Sequence, residues 1–163
     1  MSYQLDAIDK RIIQLLQKDG KMKIKEIAHE LKMTNTPIFD RIKRLEREAY
    51  IKSYSVVVDK AKLGLHLVAF CTVSLEKHQE EYLNQFVQDI KSIPEIAECY
   101  HIAGMFDYLL KIYVQDMTDY QNFITKKLAA ISNIGRVQSS FVMTEVKNEI
   151  TFPFWGLVWR EFN

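Results

Sequence analysis

The chain has 163 residues, 48% of them hydrophobic and 26% charged, which is the balance of a folded protein of one domain or two small ones. With only five Gly and three Pro, collagen-like, low-complexity and loop-dominated organisations are excluded. The formal net charge of +1 gives no whole-molecule reason to expect nucleic acid or an anionic membrane, but residues 1–60 carry 13 Lys or Arg against 9 Asp or Glu, so the basic excess sits at the front.

Leu5, Ile8, Ile12, Leu15 and Leu16 fall on one stripe of a first helix over 5–17, with Asp9, Arg11, Gln14 and Lys18 placed on its surface. Asp19-Gly20 stops it. Lys21, Lys23 and Lys25 lead into a short second helix with Ile24, Ile27, Ala28 and Leu31 on its apolar face. Thr34 is expected to cap a third helix through its hydroxyl, and Pro37 falls in the first turn, where backbone N–H groups have no intrahelical partner. Ile38, Ile42 and Leu45 form the buried stripe of that helix. Three short helices with a brief connection between the last two make a helix-turn-helix, whose final helix is free to enter a groove of DNA.

From Ala49 the period changes. The run YSVVVD reads as a strand leading into a linker, and the domain boundary is set near Lys60, giving a front domain of 1–60 and a second of 61–163. The second reads as a strand at 65–75, a helix at 79–92, strands at 96–103 and 107–115, a helix at 118–131 and a last strand at 136–146. Gly104-Met105-Phe106 is expected to form a tight hairpin between the middle strands. The order βαββαβ is that of a ferredoxin-like sandwich, so the fold class is α+β. Such a sheet carries helices on one face, and its other face, with few polar alternate positions, argues for an oligomer.

The third helix sets Thr36, Phe39, Asp40, Arg41, Lys43, Arg44 and Arg47 opposite its apolar stripe. In a major groove Asn35, Thr36, Phe39 and Asp40 at its N-terminal end approach base edges, Arg41, Lys43 and Arg44 reach phosphates, and Thr34 is counted with them among the DNA-binding residues. The competing reading is a solvated charged face, since Asp40, Glu46 and Glu48 offset three positive charges. Catalysis finds little support: His29, His66, His78 and His101 are scattered, and no metal-ligand spacing, phosphate loop or nucleophile elbow is present. Cys71 and Cys99 each lie in a strand-like run and read as core thiols of a reducing cytoplasm. No signal peptide or membrane-length apolar run is seen, so the expected location is cytoplasmic, with no membrane partner. The tail ITFPFWGLVWREFN gathers Phe152, Phe154, Trp155, Trp159 and Phe162, which calls for burial in the domain or across a subunit contact.

The segment LDAIDKRIIQLLQKDGKMKIKEIAHELKMTNTPIFDRIKRLEREAYIKSYSVVVD resembles the DNA-binding domain of the leucine-responsive and asparagine regulator (Lrp/AsnC) family. The D..D..I...L opening, TPIFDRIKRLE and the following I.SY carry the likeness. Gly104-Met105-Phe106-Asp107-Tyr108 resembles the family's G-x-x-D-Y, and SSFVMTEVK its last strand. Ala49 and Ser53 stand where glycines are common, and Asp40 where a basic residue is frequent. The resemblance implies a transcriptional regulator that binds double-stranded DNA as a homodimer assembling to a tetramer or octamer. It further implies an amino-acid effector at the contact between dimers, held by Gly104, Met105, Asp107 and Tyr108, with Ser139 from the neighbouring dimer. Read without the family, the same hairpin is structural: Gly104 relieves the turn, Asp107 bonds a turn amide and Tyr108 packs. No cofactor and no metal is expected. The alternative is a metabolite-binding or hydrolytic ferredoxin-like protein whose basic helices bind a protein partner.

Overall fold

A computed structural model describes residues 3–148. Contacts divide the described residues into two compact units, the second spanning Val58–Val146 and the first the residues on either side of it. The first contains α1 (Ala7–Lys18), α2 (Ile24–Glu30) and α3 (Asn35–Arg47). The start of α1 is fixed by a reciprocal cap: the Asp6 carboxylate accepts the Asp9 amide at 2.7 Å and the Asp9 carboxylate accepts the Asp6 amide at 3.2 Å. The apolar stripes converge as their spacing requires, with Ile12, Leu15, Ile27, Ala28, Ile38, Ile42 and Leu45 forming one buried core.

Two expectations for this unit are corrected. Asp9 is not on the surface; it has no exposure at all, because two arginines of α3 meet its carboxylate. Thr34 has the extended backbone of a cap residue, yet its hydroxyl makes no cap bond. A capping side chain bonds the second or third helical amide, and the third residue of α3 is Pro37, which has no N–H to give.

The second unit contains β1 (Leu67–Leu75), α4 (Glu80–Lys91), β2 (Ile96–His101), β3 (Tyr108–Val114), α5 (Met117–Asn122) and β4 (Ile134–Phe141). The antiparallel sheet has the order β2-β3-β1-β4, the ferredoxin-like arrangement, with Cys71 of β1 opposite Leu110 on one side and Ser139 on the other. Ala69, Cys71, Val73 and Leu75 of β1 and Tyr108, Leu110, Ile112 and Val114 of β3 are buried under Phe86 and Ile90 of α4 and Tyr120, Phe123 and Leu128.

The helix expected over 118–131 is present as one continuous run from Met117 to Ala130, but its winding changes along the way. After α5 the chain makes a π-type turn at Phe123–Lys127 and a 3₁₀ turn at Leu128–Ala130. Phe123 and Leu128 are five residues apart and both fully buried, and a wider π turn brings such a pair onto one face where an α turn would not. The 54–59 run forms no strand, and Val56, Val57 and Val58 are 70%, 85% and 52% exposed. An isolated strand has nothing to bond its edges, so β-branched sequence alone does not make one. The tight hairpin is a six-residue loop: β2 ends at His101, β3 starts at Tyr108, and the Ile102 amide donates to the Asp107 carbonyl at 2.8 Å.

The open sheet face is more polar than expected, since Glu98, Lys111, Arg136, Gln138 and Ser140 stand among Phe70 and Tyr100, and Lys111 donates to Glu98 at 3.0 Å. Cys71 is buried, but Cys99 on the edge strand β2 is exposed rather than a core thiol. Among the described residues no helix is long and apolar enough to cross a membrane. The aromatic tail residues Phe152, Phe154, Trp155, Trp159 and Phe162 lie outside the described residues.

Candidate nucleic-acid interface and effector loop

Burial of Ile38, Ile42 and Leu45 rotates the opposite side of α3 outward, leaving Thr34, Asn35, Thr36, Phe39, Asp40, Lys43 and Arg47 exposed. Aromatic, hydroxyl and amide side chains close together, followed by cations, form a surface that offers hydrogen-bond donors, acceptors and an apolar ring. The cations of α3 are not equivalent. Lys43 pairs with Glu46 at 2.9 Å on an exposed surface, and a pair of that kind contributes only ~0–1 kcal/mol, so Lys43 is readily exchanged to another anion. Arg41 instead donates from one nitrogen to Asp6 at 2.6 Å and to the buried Asp9 at 2.7 Å. Arg44 lies 3.4 Å from the same Asp9 oxygen and 4.3 Å from the Tyr3 ring centroid. Removing the partner of a buried charge costs on the order of 3–5 kcal/mol, which ties Arg41 to α1 far more firmly than Lys43 is tied to Glu46.

Burial by itself raises the Asp9 carboxyl, but hydrogen bonds from the Tyr3 hydroxyl, Arg41 and the Asp6 amide, with the Arg41 charge, outweigh it and hold Asp9 below the ordinary aspartate range. Asp9 is thus a carboxylate at neutral pH with donors on both oxygens. Sequence periodicity places it among surface residues because Arg41 and Arg44, more than thirty residues on, are invisible to a local pattern.

In the second unit the 102–107 loop carries Gly104 at φ +140, a backbone geometry that L side chains rarely adopt, and an added Cβ there meets nothing within 4 Å. Gly104 and Met105 are exposed. Asp107 does not bond an amide of its own turn. Its carboxylate accepts the Leu75 amide, at the end of β1, at 2.7 Å, and contacts His78 Nε2 at 3.0 Å. Antiparallel pairing of Val73 with Tyr108 brings Asp107 to that strand end. Burial raises the Asp107 carboxyl, and the Leu75 amide and His78 more than reverse this, leaving it low. Sequence reasoning gives His78 no role, since it is 29 residues from its partner.

Tyr108 is 3% exposed, with its ring 4.5 Å from that of Phe86 and stacked on His101 at 4.8 Å. Ser139 accepts a hydrogen bond from the Tyr120 hydroxyl. Register separates Ser139 from the loop in one chain: it lies opposite Cys71 on the β4 side of β1, while Tyr108 lies opposite Val73 on the β3 side. Among the described residues no group of three or more His, Cys, Asp or Glu is placed to hold a metal ion.

Both units match family models. Residues 5–46 match the AsnC-type helix-turn-helix domain and residues 68–152 match the Lrp/AsnC ligand binding domain. The chain belongs to the Lrp/AsnC family. It is a DNA-binding transcriptional regulator with a small-molecule-binding domain. The Bkd operon transcriptional regulator of Pseudomonas aeruginosa is 34% identical over 143 residues, covering 88% of this chain and 94% of that protein. The leucine-responsive regulatory protein of Escherichia coli is 33% identical over 143 residues, covering 88% and 87%. A transcriptional regulator of Neisseria meningitidis in complex with L-Met superposes with a TM-score of 0.90 at 28% identity, covering 95% of this chain and 100% of that one. In this Lrp/AsnC chain α3 is the last helix of the helix-turn-helix, and the 102–107 loop lies within the ligand binding domain.

Proposed function

We propose that α3 lies in the major groove of double-stranded DNA and that the 102–107 loop contributes to a pocket for an amino acid or a similarly small zwitterion. The observation that carries the DNA reading is the outward face of α3, where Asn35, Thr36, Phe39 and Asp40 are exposed on a helix held by its other side. Asn35 and Thr36 offer hydrogen bonds to base edges, Phe39 an apolar surface for a thymine methyl, and Asp40 an acceptor for cytosine N4. Lys43 and the exposed edge of Arg44 meet phosphates. Arg41, held by Asp6 and Asp9, is assigned a structural place rather than a phosphate contact.

Gly104 permits a ligand carboxylate close to the backbone, and the Asp107 carboxylate suits an ammonium, for which the ligand competes with His78. Tyr108 forms the floor of that pocket as a packed residue, and Ser139 reaches it only from another protomer. A homodimer, assembling further to a tetramer or octamer, supplies that protomer. The unpaired Val56–Val58 run favours such assembly, because a second chain gives it a strand to bond. We place the protein in the cytoplasm, as a DNA reader with no helix among the described residues long and apolar enough to cross a membrane.

The test is a mobility shift on DNA upstream of the protein's own coding sequence, with and without each of the twenty amino acids at millimolar concentration. Retardation that one or a few amino acids strengthen or abolish is expected. Absence of retardation at physiological salt contradicts the DNA reading, and retardation indifferent to every amino acid contradicts the effector.

A further inference from the structure

The groups that join α1 to α3 form a closed electrostatic clasp of two carboxylates and two guanidinium groups. Asp9 has no exposure, while Arg41 and Arg44 have side chains 21% and 33% exposed. One Asp9 oxygen receives both arginines; the other receives the Tyr3 hydroxyl and the Asp6 amide. The ring of Tyr3 lies under Arg44, and the Tyr3 carbonyl accepts the Tyr50 hydroxyl at 2.6 Å, which links the clasp to the segment just after α3. Arg44 Nε is buried with no hydrogen-bond partner.

Arg41 and Arg44 are three residues apart, so they hold one side of α3 at successive turns, adjacent to its apolar stripe. Burial of Ile38, Ile42 and Leu45 chooses which side of α3 faces the core, but small slides and rotations about that orientation are resisted less sharply by apolar contact, which is non-directional, than by directional bonds. Bonds to one buried carboxylate are directional. A rotation of α3 that moved its outward residues by one base edge also pulls Arg41 off Asp9 and leaves a buried charge unpaired.

We infer that Asp9 is a positioning residue for DNA discrimination: it sets the rotation of α3 and withdraws Arg41 from the phosphate backbone, so that the helix is guided by base contacts rather than by charge. This rests on the proposal that α3 reads DNA, and it assigns to the front of α1 a part in specificity without any contact to DNA.

The experiment compares wild type with Asp9→Asn, which keeps shape and removes charge, and with Tyr3→Phe, which keeps the ring under Arg44 and deletes one donor. Affinity for a selected site and for an unrelated duplex is measured over a salt series, at a temperature where circular dichroism shows each protein folded. For Asp9→Asn, the ratio of specific to non-specific affinity falls about tenfold, the size of one lost base contact, while release of Arg41 steepens the slope of log K against log salt by about 1. Tyr3→Phe shifts the ratio in the same direction by a smaller factor. Adding Arg41→Gln to Asp9→Asn restores the salt slope and not the discrimination. Amide exchange over 35–47, which needs no DNA, accelerates in Asp9→Asn more than exchange over 24–30. Failure of the DNA reading itself shows in the wild type, as a ratio near one, with the exchange comparison still deciding the clasp. A lowered melting temperature with ratio and slope unchanged, or exchange in α3 no faster than in α2, overturns the inference.

Discussion

Asp107 and Asp9 are both aspartates held low by donors, one at a strand end and one between helices. A carboxyl whose folded pKa lies below its unfolded value adds stability that is complete above the unfolded aspartate value of about 4 and disappears as pH falls through the folded value. Thermal melts from pH 7 down to pH 3 are therefore expected to show loss of stability beginning near pH 4, with a shallower decline in Asp107→Asn and in Asp9→Asn, which lack the titrating group. Equal acid slopes in the wild type and both variants contradict the bonding described for them. At neutral pH Asp107→Ala leaves the Leu75 amide without its acceptor, a loss of ~1–3 kcal/mol, readable by urea denaturation. These partnerships are the part of the molecule least legible in the sequence. Asp9 sits at a position that helical periodicity assigns to the surface, and only tertiary contact with Arg41 and Arg44 reverses that. Asp107 stands out in the sequence, but its partners, the Leu75 amide and His78, come from strand pairing that no local motif encodes.

At the scale of elements, α1, α2, α3 and α4 are legible because amphipathic spacing is a local property, and the ends of α1 and α4 fall within two residues of the expected ones. The change of winding after α5 is not, since it depends on burying Phe123 and Leu128 on the same face. The Thr34 hydroxyl makes no cap bond, and Pro37, itself a sound signal for the first turn, removes one of the two amides open to it. For α3, Lys43→Ala is expected to weaken binding to all duplexes alike and to reduce the salt slope by about 1, whereas Asn35→Ala or Thr36→Ala relaxes preference at a single base pair by ~1–3 kcal/mol. A Lys43→Ala protein with altered preference and unchanged slope would make Lys43 a base reader rather than a phosphate contact. In the second unit Phe86, 1% exposed and packed on Tyr108, anchors α4 to the sheet, and Phe86→Ala is expected to destabilise that unit by ~3–5 kcal/mol in chemical denaturation.

At the scale of the whole molecule, the sequence points to a DNA-reading front and a ferredoxin-like back, and both units match the corresponding family models. It overstates the apolar character of the open sheet face, because alternation is read without Glu98, Lys111 and Arg136 being placed on that face. It also suggests a strand at YSVVVD, which a single chain leaves unpaired. Assembly is the proposed remedy, and light scattering at micromolar concentration is expected to give at least twice the chain mass; a folded monomer removes the dimer proposal. The central claim is that α3 of each of two protomers reads DNA sequence. Selection of bound duplexes from a random pool tests it most directly. The expected product is a pseudo-palindrome with half-sites one helical turn, roughly 34–36 Å, or a multiple of it apart, enriched by the wild type and not by a protein carrying Asn35→Ala, Thr36→Ala and Phe39→Ala together. A pool that stays random with the wild type, or that yields the same site with the triple variant, contradicts it.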